Sequence, residues 1–328
     1  MKVDKSANET RIIDFGAHFF PLGQPENEEV HDYIAEQEGR RIHDDIDALN
    51  ERYRSAGVDG AVLSQEDVIT SDDLGRVRNE NDAMLDLALT HDNIYSLAAV
   101  PVAAGGEEAA AELERCIDLG HNGGMIQTNV DGVEIHHTEL QPVLEVANRT
   151  RAPLLVHPKV HNSLHEDVLD DSWRLNAQFG REVTLCESIV KATNSGILDQ
   201  YPDLNLVYHH MGGNIASMLG RIRGDLEEGR WPTAHRLQPY EEFRAQLEDR
   251  IYVDTSGFYG DLKAFEATFN AFPSSNILFG TDFPYETRNS GDFERILATI
   301  QSLRPREEVV NILGQNAVEL LANTDSTA

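Results

Sequence analysis

Lysine is nearly missing from this chain: 5 residues in 328, against 22 arginines. Acidic residues number 57 and basic ones 27, which leaves a net charge of -30. Such a surface repels phosphate backbones and anionic lipid, so nucleic acid and membrane surfaces are excluded as partners. An acidic, lysine-poor exterior suits a halophilic protein working in molar salt, where screening removes the self-repulsion. Long apolar runs are also absent. None approaches the ~20 residues of a membrane span, and the opening MKVDKSANETRIID has no apolar core of the secretory kind. The two cysteines, Cys116 and Cys186, are too few to staple a chain of this size. Both fall in helix-like segments, where small buried thiols and a reducing, cytoplasmic setting are expected.

What is present is an alternation. Short apolar runs occur at 11–17, 60–65, 94–102, 123–129, 153–158, 205–212, 251–257 and 276–283. They are apolar on both faces, as buried parallel strands are. Amphipathic stretches lie between them, and two of these end in glycines, Gly57 and Gly120, placed to cap a helix C-terminus. Strict βα alternation eight times over predicts a (β/α)8 TIM barrel with a C-terminal helix at REEVVNILGQNAVELLA. An open doubly wound sheet is the rival, but no GxGxxG follows the first strand. The expected division is a polar tail at 1–10, one barrel at 11–323 and a second tail at 324–328. Long loops at 19–42 and 159–180 follow strands one and five on the face where barrel enzymes build their sites.

Polar residues at the C-terminal ends of such strands are the candidates for chemistry. They are His18, His157, His210, Asp254 and Asp282. Any one of these histidines alone reads as a satisfied structural residue, and Asp254 in Asp-Thr-Ser-Gly reads equally as a turn. Several imidazoles and a carboxylate on one rim instead suit zinc or a similar divalent ion. His209 is expected to point to the opposite face from His210, because side chains alternate along a strand. Gly212 and Gly213 open the next helix, either to meet an anion with free N–H groups or to let that helix pack closely.

The stretches DFGAHFFP at 14–21, LLVHP at 154–158, HMGG at 210–213 and FGTDFPYE at 279–286 carry a resemblance. Together they resemble the amidohydrolase-related superfamily, in its 2-amino-3-carboxymuconate semialdehyde decarboxylase-like branch, from about Ile12 to Leu321. In that family the first strand carries His-x-His, both residues metal ligands; this chain reads Gly16-Ala17-His18, so the first position is empty. The resemblance implies His18, His157 and Asp282 as metal ligands and His210 as an acid/base, with Asp282 sharing the proton transfer. Strand four has no lysine to bridge a second metal, so one divalent ion is expected, zinc first and manganese second. His161 and His165 are potential extra ligands or surface residues. Arg40 or Arg41 is the expected partner of a substrate carboxylate. The implied activity is a carboxy-lyase acting on a small unsaturated or aromatic carboxylic acid. The alternatives are a hydrolase of a lactone or amide, metal-dependent or metal-free, and a barrel that only binds a carboxylate. A homodimer is expected by analogy.

Overall fold

Eight of the apolar runs become parallel strands: β1 Ile13–His18, β2 Gly60–Ser64, β3 Ile94–Ala99, β4 Gly123–Gln127, β5 Leu154–His157, β6 Leu206–Tyr208, β7 Ile251–Asp254 and β8 Ile277–Leu278. The computed structural model describes residues 11–322 except 24, 26–27, 160–170, 228–229 and 233–235. Each strand pairs with the next in sequence order. The ring closes where Phe15 N donates to Phe279 O at 2.7 Å and His18 N donates to Phe283 O at 2.7 Å. Every residue of these strands except Tyr252 is buried, which is why the runs are apolar on both faces. Each fully buried Leu, Ile, Val or Phe side chain contributes roughly 1.5–3 kcal/mol. This is the (β/α)8 barrel expected from the alternation.

The helices begin and end where side chains satisfy their free backbone groups. Asp45 accepts from the N–H groups of Asp47 and Ala48 to start the helix Ile46–Ala56, and Gly57 ends it at φ 73°. Gly120 ends the helix Gly106–Leu119 in the same way, at φ 115°. Asn289 and Asp292 form a reciprocal capping box on the helix Ser290–Leu303. The C-terminal helix runs from Arg306 to Ala322 through a π-turn at Asn311–Gln315. Its Asn316 amide donates to Ser274 O at 2.7 Å and Ile277 O at 2.8 Å, tying it to the base of β8. Both cysteines are free, each within a helix.

Two strands stop earlier than their apolar runs suggest. Past Leu278, the Phe279 N–H leaves the ladder for Ile312 O at 2.9 Å, and the Gly280 N–H turns to Thr255 Oγ1 at 3.0 Å. Past Tyr208 the chain coils into a short turn at His210–Gly212. These early exits bend His209, His210 and Asp282 over the barrel mouth. The loop after β1 carries the helix Glu28–Glu38. His161 and His165 lie outside the described residues. Among the described residues no helix is long and apolar enough to cross a membrane.

Candidate active site

His18 ends β1 and His157 ends β5, and both rings turn into the mouth of the barrel, their centroids 5.1 Å apart. His18 Nδ1 lies 3.1 Å from Ser64 Oγ and 3.2 Å from Glu66 Oε2. Its Nε2 lies 3.4 Å from Asp282 Oδ1. The other oxygen, Asp282 Oδ2, faces His210 Nε2 at 3.6 Å, and His210 Nδ1 is held by Glu182 Oε1 at 2.9 Å. Of the residues proposed from the sequence, His18 and His210 therefore face the Asp282 carboxylate, and His157 adjoins it through the ring of His18.

His209 joins them, contrary to the expected alternation. Its ring stacks obliquely on His210, with centroids 4.4 Å apart, and stands 5.3 Å from that of His18. The reason is local: β6 ends at Tyr208, His209 is still extended, and His210 and Met211 adopt φ of 50° and 54°. Once a residue enters the left-handed region, consecutive side chains need no longer oppose each other. Asp282 has φ 50° as well. Strained backbone of this kind costs about 1–3 kcal/mol per residue and persists where the surroundings enforce it, often at functional sites. Gly213 permits a close approach: a Cβ there would lie 2.1 Å from Glu182 O. Close packing, the second of the two expectations for this glycine pair, is what the geometry shows.

The electrostatics centre on Asp282. Burial works to raise its pKa, but the imidazoles of His18, His209 and His210, which face its two oxygens at 3.4, 3.5 and 3.6 Å, hold it well below the ordinary carboxylate range. Burial opposes charge on His210, yet the carboxylates of Glu182 and Asp282 push its pKa well up. Burial likewise opposes charge on His209, and Asp254, at 2.5 Å from Nδ1, outweighs it to bring the pKa to about 9. His157 goes the other way, depressed by burial first and then by its cationic surroundings, Arg181 among them. Glu286 is pushed up to about 8 by burial and by the charge of Asp282.

The donor set fits a divalent cation. His18, His157 and His209 offer nitrogens within 4.8 Å of one another, and His209, His210 and Asp282 form an overlapping group. His18 Nε2, His157 Nδ1, His209 Nε2 and His210 Nε2 are all buried without a hydrogen-bond partner. Such atoms are costly to bury unless something binds them. A separate group, Glu134, His136 and His137, already holds the Lys191 ammonium on its carboxylate.

Arg40 and Arg41 are placed elsewhere. Arg40 is bound by Asp45 at 2.7 Å and Glu51 at 2.8 Å. Arg41 is bound by Asp44 at 2.8 Å and donates to His43 Nε2 at 2.9 Å. His43 packs on His31, which meets Tyr285, so two histidine rings and a tyrosine separate Arg41 from His18. Sequence reasoning missed Glu182 and Glu286. Glu286 stands four residues after Asp282, inside a stretch already singled out. Glu182 opens a helix after a long loop, and nothing in its spacing announces the contact with His210.

A family model for amidohydrolases matches residues 13–322, and the chain belongs to that family. It is similar to a gamma-resorcylate decarboxylase of Polaromonas sp., 28% identical over 201 residues, which cover 58% of this chain and 59% of the relative. It is also similar to the 2-amino-3-carboxymuconate-6-semialdehyde decarboxylase of Dictyostelium discoideum, 26% identical over 224 residues, 66% of this chain and 57% of the relative. The matches thus span about three fifths of those relatives' length, and they fall in the branch that the motifs resemble. Among solved structures, a dihydroxybenzoic acid decarboxylase from Polaromonas sp., with bound manganese and the inhibitor 2-nitroresorcinol, superposes with a TM-score of 0.81. The identity is 19%, covering 95% of this chain and 96% of that one, and the shared fold is the barrel described above.

Proposed function

We propose that the protein is a metal-dependent decarboxylase of a small aromatic or unsaturated carboxylic acid. The observation that carries this is the His210–Asp282 pair, backed by Glu182 and set against a cluster of unpartnered imidazoles. Both relatives named above are carboxylic-acid decarboxylases. His18, His157 and Asp282 would hold one divalent ion, whose charge stabilises a substrate oxygen next to the carbon that loses CO2.

Decarboxylation breaks the bond between that carbon and the carboxylate, leaves the electron pair on carbon, and needs a proton there. His210 is built to supply it. Glu182 fixes its Nδ1, so Nε2 carries the exchangeable proton toward Asp282 and the mouth of the barrel. Asp282 Oδ2 faces that proton and helps keep it on His210, whose pKa it raises, until the substrate carbon takes it. Arg181, whose charge helps depress the pKa of His157 and which adjoins Glu182 in the chain, is the arginine assigned to a substrate carboxylate.

The test is a screen of hydroxybenzoic and unsaturated dicarboxylic acids for CO2 release, in molar salt, before and after chelation. CO2 release that chelation removes and zinc or manganese restores supports the assignment. Turnover of lactones or amides without CO2, or decarboxylation untouched by chelation, overturns it.

The net charge of -30 extends the proposal to the working medium. We expect a halophilic cytoplasmic enzyme, whose unfolding temperature rises steeply between ~0.1 M and ~1 M KCl as the screening length falls from about 10 Å to 3 Å. A melting curve indifferent to salt over that range would contradict it.

A further inference from the structure

We propose that His209 is a direct ligand of the divalent ion, occupying the space that Gly16 leaves open beside His18, with Asp254 as the positioning residue that aims it. This rests on the metal-dependent reading above.

Four observations converge. The first is room. A Cβ on Gly16 would lie 2.9 Å from Asp254 Oδ2 and 2.9 Å from His209 Cε1. Both distances are shorter than van der Waals contact, so a larger side chain at position 16 would force this His209–Asp254 pair to shift. The ring fills the place where the resemblance leaves a ligand missing on β1.

The second is tautomer. His209 Nδ1 is engaged by Asp254 Oδ2 at 2.5 Å and lies 3.1 Å from Ser256 Oγ. Asp254 is itself fixed, since Oδ1 accepts from the Ser256 N–H at 3.0 Å. With Nδ1 given to a carboxylate, Nε2 is the nitrogen left to meet an ion, the arrangement that metal-bound histidines commonly show.

The third is direction. His209 Nε2 is buried without a hydrogen-bond partner, and it lies 3.5 Å from Asp282 Oδ1. His18 Nε2 lies 3.4 Å from that same oxygen. One carboxylate oxygen thus faces both nitrogens, as a carboxylate ligand flanked by two imidazole ligands would.

The fourth is spacing. Ligands about 2.1 Å from a tetrahedral zinc ion stand about 3.4 Å from one another, which is the separation these nitrogens keep from Oδ1. His157 offers a further buried nitrogen in the same group. Three imidazoles and one carboxylate favour zinc over manganese, because imidazole suits zinc and oxygen-rich sets suit manganese.

The experiment titrates Co2+ into metal-stripped protein in molar salt, for the wild type, His209→Gln, Asp254→Asn and His18→Gln. It reads affinity by calorimetry and coordination by the visible absorption of Co2+, with circular dichroism as the check on folding. The wild type is expected to take up one ion. Asp254→Asn should weaken it by about 10–100-fold. His209→Gln should weaken it further, to the level of His18→Gln, and shift the absorption bands. A folded His209→Gln with wild-type affinity and spectrum overturns the role of His209 and leaves the metal-dependent reading standing. A wild type that takes up no Co2+ overturns both. Should His209→Gln fail to fold, Asp254→Asn carries the test alone, and unchanged affinity and spectrum there overturn the proposal.

Discussion

Replacing His210 with glutamine is expected to lower kcat by about 10²–10⁴-fold, the usual worth of a positioned acid or base, while bound metal stays near the wild-type amount. The split follows from geometry. His210 Nε2 approaches Asp282 Oδ2 at 3.6 Å, whereas His18 and His209 approach Oδ1. The two carboxylate oxygens thus face different tasks, one toward the imidazole cluster and one toward the proton carrier. Glutamine fills much of the same space and can still donate to Glu182, so the loss should register in kcat far more than in KM. Steady-state kinetics beside elemental analysis of the purified variant checks both halves. Metal lost together with activity would make His210 a ligand; activity kept would leave it a bystander.

The strand-end residues were legible because a barrel turns sequence period into position. An apolar run followed by His18, His157 or Asp282 puts that residue at the mouth whichever helices follow. The same logic misplaced His209, because alternation holds only while the ladder lasts, and here it ends at Tyr208. The left-handed turn at His210 has no signature in the sequence, since neither it nor Met211 is a glycine. The partners of the two arginines were not legible for a different reason. With 57 acids in the chain, Asp44, Asp45 and Glu51 lie close enough to engage Arg41 and Arg40 first, so an arginine's presence in a loop says little about its target. Glu182 is a contact across 28 residues of chain, and such distances are not encoded in local pattern.

Removing Glu112 is expected to cost about 1–3 kcal/mol of stability, the usual penalty for leaving buried hydrogen-bonding groups unpaired, although it lies outside the candidate site. Its side chain is fully buried. It accepts from Arg115 Nε at 2.9 Å and Arg115 NH2 at 2.7 Å, from Asn81 Nδ2 at 3.0 Å and from Arg78 Nε at 3.1 Å. Asn81 in turn grips the end of β3, accepting from Ala99 N at 2.8 Å and donating to Ala99 O at 3.1 Å. One carboxylate thereby joins the helices Leu74–Thr90 and Gly106–Leu119 to the strand between them. Burial works to raise its pKa, and the hydrogen bonds from Arg115, Asn81 and Arg78 overcome this to bring it down to about 2. A carboxylate held lower in the folded than in the unfolded state stabilises fully above its unfolded pKa. That contribution fades as pH falls from about 4.3 through the folded value. Urea unfolding in molar KCl should show Glu112→Ala the least stable and Glu112→Gln intermediate at neutral pH, since the amide still accepts from Asn81. As the pH is lowered toward 2, the gap between wild type and Glu112→Gln should narrow, because the carboxylate is then losing its charge. A gap that stays constant down to acid pH would mean that shape, rather than the charge of Glu112, holds this corner of the barrel together.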